Sequence, residues 1–480
     1  MQPADVCLHM DISRRTVIGA GAALPLAAAS SAFAAPTVTG PSPGDWADLD
    51  RTLAGSASLP GSTRYESRVP LFDPRWDSRR PAALARILSR QDISTCVTFA
   101  RDHGLTITGR SGGHSYVGAS RLTGTLVIDT RSYAKVYFPT DRYQVTVQAG
   151  ANLYSVHDTI SQYGRSIPTG TCPTVGSSGL TLVGGLGVDS RRYGLTIDRL
   201  VSATVVDGRG VIRKVDASHD PDLFWALRGG GSGAAMVTDF TYRTIPATSM
   251  GFFNVSFPAS STATVLRQWA AWMADQPRDT WANAHVDTAG SSISVRVFGV
   301  TPVGLEAARA ASLRRAVGVT PLSTSTTTRT HMAGIRYLGG GSTTPRTRFS
   351  AGSDIVRTMT SDAAQAVEGA VRSAASRGLA ASAILDPLDG AMASPAMAAT
   401  AFPWRNHVAS VQWYVGVASS SGYAPAEEWI SHAHDLVSSH SRGGYYGYVE
   451  SGQSLRRYFA GNYDQLAAAR RRYDPDSILH

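Results

Sequence analysis

Two side chains able to act as nucleophiles stand alone in loops built mainly from glycine, proline and small polar residues. His114 lies in Gly109-Arg-Ser-Gly-Gly-His-Ser115, directly behind the apolar run Leu105-Thr-Ile-Thr108. Cys172 lies in Thr169-Gly-Thr-Cys-Pro-Thr-Val-Gly176, and the run Gly176-Ser-Ser-Gly-Leu-Thr-Leu-Val-Gly-Gly-Leu-Gly187 follows it. Glycine at such corners permits positive φ and lets main-chain N–H groups approach another molecule, so these runs have the make-up of a phosphate cradle. A tight turn uses glycine for the same reason. A neutral imidazole and a thiolate can each add to an electron-poor carbon. The competing readings are a satisfied turn histidine and an inert thiol.

The elements around these loops alternate between helix and strand from 65 to 246. The stretch from Pro81 to Gly104 has helical spacing, with Cys96 as a small core residue of that helix. Leu105 to Thr108 reads as a strand, as do Thr-Leu-Val-Ile-Asp-Thr130 and Tyr-Gln-Val-Thr-Val-Gln-Ala-Gly150, and 151–163 reads as helical. Asp207-Gly208 between two apolar runs signals a hairpin. A short helix with Pro221 near its start ends at Gly229, ahead of the alternating strand Met-Val-Thr-Asp-Phe-Thr-Tyr-Arg-Thr-Ile245. From 247 to 441 the composition shifts to Ala, Ser and Thr, with alternating runs beside helical ones, which predicts an antiparallel sheet covered by helices. Residues 442–480 carry aromatic residues and a terminal helix.

The chain has 480 residues, 43% hydrophobic and 17% charged, which excludes a disordered or membrane-embedded protein. Ser13-Arg-Arg-Thr-Val-Ile18, a mostly apolar run over 17–29 and Ala32-Phe-Ala34 read as a twin-arginine export signal over 1–34, not a membrane anchor. The expectation is a secreted protein exported in folded form. The net charge of +9 comes from scattered arginines, and the densest run, Arg470-Arg-Arg472, reads as a solvated helix face, so no nucleic-acid partner is expected. Three cysteines, of which Cys7 falls in the export signal, exclude a disulfide framework. No metal-ligand spacing occurs. No G-x-G-x-x-G motif sits between a strand and a helix with an acidic residue after it, which excludes a nucleotide site of the Rossmann kind.

Taken together, Gly109 to Ser120, Thr171 to Thr196, Asp222 to Gly231, Leu385-Asp-Pro-Leu-Asp-Gly-Ala391 and the terminal Tyr-Phe-Ala-Gly-Asn-Tyr-Asp-Gln-Leu466 and Tyr-Asp-Pro-Asp-Ser-Ile-Leu479 resemble the berberine-bridge-enzyme-like FAD-linked oxidases of the vanillyl-alcohol-oxidase superfamily. The resemblance implies an α+β fold: a two-subdomain FAD-binding domain over 65–246, a substrate domain over 247–441, and a segment 442–480 that returns to the FAD domain with the catalytic tyrosine. It implies FAD bonded twice, through His114 to the 8α-methyl and through Cys172 to C6. By the same resemblance Arg110, Ser111, Gly112, Gly113, Ser115, Gly176, Ser178 and Gly179 contact the cofactor phosphates, and Gly185 and Val237 line the flavin. The implied reaction takes hydride from a substrate carbon to flavin N5 and electrons on to O2, giving H2O2, with the hard chemistry belonging to the cofactor.

The resemblance further implies a base among Tyr445 and Tyr448, with Gly447 where the family usually has asparagine; sliding the alignment makes Tyr446 the partner or Glu450 the base. A phenol with pKa near ~10 has to be shifted down to serve as a base at neutral pH, so a cation, Arg405, is expected beside it. Gly233-Ala-Ala235 replaces the usual Asn-Phe-Gly, and Asp189 stands where a large apolar residue is common; both alter the pocket wall. The expected substrate is a small molecule, a sugar hydroxyl or a glycosylated or hydroxylated secondary metabolite. Alternatives are an oxidative cyclase closing a C–C or C–O bond and a non-catalytic exported flavoprotein. A monomer or dimer is expected.

Overall fold

The computed structural model describes residues 40–480, so the export signal expected at 1–34 lies outside the described residues. Strands β1 (Ser56–Ser58), β2 (Ala83–Arg86), β3 (Ile107–Arg110) and β4 (Leu126–Asp129) form one sheet in the order β1-β2-β4-β3, parallel from β2 to β3. The helix Arg90–Asp102 links β2 to β3 and starts at a capping box, where Ser89 and Asp92 satisfy each other's backbone N–H groups. Cys96 is in the core of this helix. Two sequence expectations need correction. The helical stretch does not begin at Pro81: Ala83–Arg86 is strand β2, held between β1 and β4, whose ladders supply the hydrogen bonds a helix would make internally. The strand expected at 105–108 starts two residues later, because the Leu105 N–H is used by the Ala100 carbonyl at the helix end. β3 therefore runs straight into the first glycine loop.

The next strands are β5 (Val136–Tyr137), β6 (Gln144–Gln148), β7 (Arg165–Ser166), β8 (Leu200–Val206), β9 (Ile212–Asp216), β10 (Met236–Arg243) and β11 (Ile245–Pro246). β7 pairs with β11, and the other five make an antiparallel sheet in the order β5-β6-β10-β8-β9. The hairpin signalled by Asp207-Gly208 joins β8 to β9, and the Asp207 carboxylate accepts the N–H groups of Arg209 and Val211, both at 3.0 Å. Met236 of β10 packs with Ile107 and Ile128 of the first sheet, so the glycine loop leaving β3 emerges where the two sheets meet.

Strands β12 (Met250–Phe257), β13 (Trp281–Ala289), β14 (Ser292–Thr301), β15 (Ser323–Arg329), β16 (Phe349–Val356), β17 (Ala381–Pro387) and β18 (Ala409–Gly416) form an antiparallel sheet in the order β15-β12-β14-β13-β17-β18-β16. Four helices, Thr262–Ala274, Glu306–Val317, Ser361–Ser376 and Tyr423–Val437, cover one face and share its core with Val255, Ala284, Val297, Leu385, Val411 and Trp413. Strand alternation then turns Asn283, His285, Ile384, Asp386, Gln412 and Tyr414 to the opposite face, which looks toward the glycine loops. The chain end lies beside β3: the Ile107 N–H donates to the Ile478 carbonyl at 2.7 Å and the His480 N–H to the Ile107 carbonyl at 2.9 Å. No helix of the described residues is long and apolar enough to cross a membrane.

Candidate active site

The two glycine loops touch through their main chains. A Cβ on Gly112 would overlap the Gly176 nitrogen and lie 2.7 Å from the Thr174 carbonyl oxygen, and a Cβ on Gly176 would overlap Ser111 and Gly112. Only glycine fits at either point. The second loop is held from behind, since the Pro173 and Val175 carbonyls accept the Tyr154 and Leu153 N–H groups, both at 3.0 Å, in the first turn of the helix Leu153–Ser161.

This contact brings the two nucleophiles to one hydroxyl. His114 Nε2 is 3.0 Å from Thr174 Oγ1, and Cys172 Sγ is 3.9 Å from the same oxygen and 3.5 Å from Thr344 Oγ1. Nitrogen and sulfur are therefore within about 7 Å of each other, the sum of the two legs. Phe72 stacks on the imidazole with centroids 4.0 Å apart and fixes its plane. Burial lowers the His114 pKa to about 4, with Thr174 opposing the shift, so the ring is neutral at physiological pH and keeps a nitrogen lone pair.

Around this pair the loops keep unfilled hydrogen-bonding capacity. Arg110 is buried, donates to the Arg68 and Pro70 carbonyls, and leaves Nε without a partner; Ser177 Oγ is likewise buried and unpaired. Ser111 and Ser178 both donate their hydroxyl protons to the Ala149 carbonyl, at 2.7 and 2.9 Å, so their backbone N–H groups are what the loops have to offer. Ser115 Oγ accepts the Ala119 N–H at 3.1 Å. Gly113 has φ of +74°, and a Cβ on Gly179 would meet nothing within 4 Å. Val237 is buried in β10 at a register shift against β8. Gly185 donates its N–H to the Tyr445 hydroxyl at 3.3 Å.

Tyr445 and Tyr448 sit on one 3-10 turn, Tyr446–Tyr448, closed by the Tyr448 N–H on the Tyr445 carbonyl at 2.9 Å. Gly447 between them has no room for the family's asparagine: a Cβ there would lie 2.5 Å from Cε1 and 2.7 Å from Cζ of Tyr445. The Tyr448 ring stacks on Tyr116 with centroids 5.5 Å apart and meets Tyr445 edge-on at 5.0 Å. Gln412 donates to the Tyr116 hydroxyl at 2.7 Å, and Phe349 packs between Tyr116 and Tyr414. Burial raises the pKa of Tyr445 to about 12 and that of Tyr448 well above the phenol value.

The expected cation is not beside these phenols. Arg405 is buried in an ion pair with Asp198 at 2.7 and 2.8 Å and also donates to Thr400, because a buried guanidinium needs a carboxylate of its own. Burial is the main cause of the Tyr448 shift, and the charge of Asp386 adds to it. Asp386 has its own pKa raised by burial to about 6, against a hydrogen bond from Asn283 at 3.3 Å. The Glu450 carboxylate is engaged by His434 Nε2 at 2.7 Å and by the Ser353 N–H at 3.3 Å. Tyr446 packs on Tyr458 and Phe459 in the core of the second sheet and is not a partner of Tyr448. Sequence reasoning missed Thr174, Tyr116, Asp386 and Gln412; the period-two pattern of Ala381–Pro387 was the available signal for Asp386, and nothing marked the others.

An FAD binding domain family matches residues 81–216, the stretch holding both glycine loops. Over 418 residues, 84% of this chain and 90% of the relative, it is 27% identical to an uncharacterised FAD-linked oxidoreductase, YgaK, of Bacillus subtilis. Over 170 residues, 35% of this chain and 34% of the relative, it is 39% identical to a glucooligosaccharide oxidase of Sarocladium strictum. The fold matches that of an Acremonium strictum glucooligosaccharide oxidase with TM-score 0.83 at 24% identity, covering 91% of this chain and 97% of that one. The chain is an FAD-linked oxidoreductase with the fold of berberine-bridge-enzyme-like proteins and oligosaccharide oxidases.

In this oxidoreductase the two departures from the family pattern have defined places. Asp189 lines a small cavity with Tyr154, His157, Thr169, Pro173 and Leu338, and burial raises its pKa to about 6 against the pull of Arg192. It sits behind the Cys172 loop. Ala234 and Ala235 are buried with the core of the second sheet, and Gly233, at φ +93°, approaches Arg470 Nε.

Proposed function

We propose that the protein is an exported oxidase that holds FAD by two covalent bonds, through His114 and Cys172, and oxidises a hydroxyl-bearing carbon of a sugar or sugar-like small molecule. The observation that carries this reading is the convergence of His114 Nε2 and Cys172 Sγ on the Thr174 hydroxyl. The 8α-methyl and C6 flank the same edge of the isoalloxazine, so a nitrogen and a sulfur this close can reach both. The glucooligosaccharide oxidase of Acremonium strictum carries a 6-S-cysteinyl, 8α-N1-histidyl FAD. The loops suit the group: Arg110 Nε and Ser177 Oγ are buried without partners, and Gly179 opens onto free space.

FAD held by these loops would supply a two-electron acceptor that dioxygen can reoxidise. The protein supplies the proton path. Asp386 is ionised above about pH 6 and its charge acts on Tyr448, so in this reading Tyr448 relays the proton of the substrate hydroxyl toward the Asp386 carboxylate. A high phenol pKa suits this relay, because the tyrosine is neutral before each turnover. Tyr445, held on the Gly185 N–H, supports the Tyr448 ring edge-on.

A polyhydroxylated substrate fits the face that Asp386 belongs to. Asn283 Oδ1 and Ser410 Oγ are buried there without partners, beside Gln412 and the rings of Tyr116 and Tyr414. Export by the twin-arginine route rests on Ser13-Arg-Arg15 and the run after it, and suits a protein that must fold around FAD inside the cell. Screening mono- and oligosaccharides with peroxide detection tests the substrate class. Turnover of at least one sugar is expected; silence across the panel would favour the oxidative cyclase instead.

A further inference from the structure

Thr174 has no role in the reaction described above, yet among the described residues its hydroxyl is the group hydrogen-bonded to both nucleophiles. Its hydroxyl has one proton to donate and lone pairs to accept with. A neutral His114 carries a single N–H, on Nε2 or on Nδ1. The side-chain hydrogen bond of the ring is made by Nε2, 3.0 Å from Thr174 Oγ1, and the Thr174 main chain is its other polar neighbour. The arrangement in which the imidazole donates from Nε2 to Thr174 leaves the Nδ1 lone pair bare and the threonine proton free for Cys172 Sγ at 3.9 Å. Thr344 Oγ1, 3.5 Å from the sulfur on another side, completes its surroundings.

Thr174 is also rigid. The Val175 N–H closes a turn on the Cys172 carbonyl at 3.3 Å, the flanking carbonyls are capped onto the helix Leu153–Ser161, and the Thr174 carbonyl lies against Gly112. With Phe72 stacked on one face of the imidazole, neither the plane of the ring nor its tied edge is free to turn.

We infer that Thr174 is the positioning residue for attachment of the flavin: it selects the imidazole tautomer that attacks through Nδ1 and holds the Cys172 sulfur at the same edge of the ring. This inference rests on the two-bond reading of His114 and Cys172. The chemistry balances with O2 as oxidant. Nδ1 forms a bond to the 8α carbon, an 8α C–H bond breaks with loss of its proton, and the bonding electron pair stays in the isoalloxazine. The imidazole, made cationic by that bond, releases its Nε2 proton toward Thr174 and solvent. O2 then removes the two electrons and becomes H2O2. The sulfur adds to C6 with loss of the S–H and C6–H protons, and a second O2 takes that electron pair. Thr174 is unchanged at the end; it offers an acceptor to the Nε2–H as positive charge grows on the ring.

The test compares wild-type protein with Thr174→Val, Thr174→Ala and Thr174→Ser, each produced as the full chain with FAD. Thermal unfolding checks folding. Acid precipitation followed by peptide mass mapping then reads the flavin held at His114 and at Cys172 separately. The expected result is doubly linked flavin in wild type and in T174S, with the His114-linked fraction at a fixed time after synthesis lowered about tenfold in T174V and T174A, the size of one lost hydrogen bond to a developing charge. Rescue by serine separates the hydroxyl from the shape of the side chain. Two hydroxyl-free variants are included, so that misfolding of the β-branched one leaves the alanine result to decide. Doubly linked flavin at wild-type levels in a folded hydroxyl-free variant overturns the inference while leaving the two-bond reading intact. Flavin that washes out of acid-treated wild type overturns that reading, and the role of Thr174 with it.

Discussion

The turn that carries Tyr445 and Tyr448 hangs from a buried ionic tie, and its response to pH can be worked out. His434, on the helix Tyr423–Val437, is 2.6 Å from Asp354 through Nδ1 and 2.7 Å from Glu450 through Nε2. Asp354 of β16 also binds Arg457, Ser441 and the Trp413 indole, and the Ser353 hydroxyl next to it accepts the Tyr445 N–H at 2.9 Å. The charged groups facing His434 are thus Asp354, Glu450 and Arg457. Burial pulls its pKa down, but the hydrogen bonds and charges of the two carboxylates outweigh burial and raise it from 6.5 to about 9. The folded state therefore binds this proton more tightly than the unfolded chain. The stabilisation is complete below pH 6.5 and fades as pH climbs toward and past about 9. At 1.36 kcal/mol per unit a shift of this size is worth roughly 3 kcal/mol for fully buried groups. His434 and Glu450 side chains retain 13% and 12% exposure, and screening brings the effect to about 2 kcal/mol. Urea unfolding between about pH 6 and pH 10 should show wild type losing about 2 kcal/mol more than H434Q over that interval, with equal m-values. Parallel curves for the two proteins would refute the reasoning.

Three further substitutions probe the site. Asp386→Asn and Tyr448→Phe should each lower kcat by about 10²- to 10³-fold while flavin content stays at wild-type level; D386N should in addition abolish an acid limb in kcat/KM near pH 6, since only the ionised carboxylate accepts the phenol proton. A kcat within a few-fold of wild type would remove both from the proton path. Gly112→Ala places a methyl group on the Gly176 nitrogen, main chain against main chain, so no rotamer relieves it. It should cost about 3 kcal/mol, the top of the usual overpacking range, and separate His114 from Cys172; unchanged thermal unfolding together with unchanged flavin content would contradict the loop contact.

What the sequence disclosed and what it hid follow from the range of the interactions. The glycine loops, the Asp207-Gly208 hairpin and the helix begun by Pro221 are decided locally, by φ, turn chemistry and caps, and each is legible in a few residues. β2 was not, because Ala83–Arg86 has no β preference of its own and becomes a strand through pairing with β1 and β4. The same distinction runs through the site. His114 and Cys172 announce themselves as lone nucleophiles in glycine runs. Asp386 reaches Tyr448 only through the register of β13, β17 and β18, and Arg405 is drawn away by Asp198, some two hundred residues distant in the chain. Thr174 looked like one more small polar loop residue until the folded loops brought its hydroxyl between two others.

In the proposed holoenzyme His114 and Cys172 hold one flavin between them. The direct measurement is the mass of proteolytic fragments from acid-denatured protein. The expected species is one in which the His114 peptide and the Cys172 peptide are joined through a single FAD. Recovery of both peptides at their unmodified masses, with the yellow colour left in the supernatant, would contradict it.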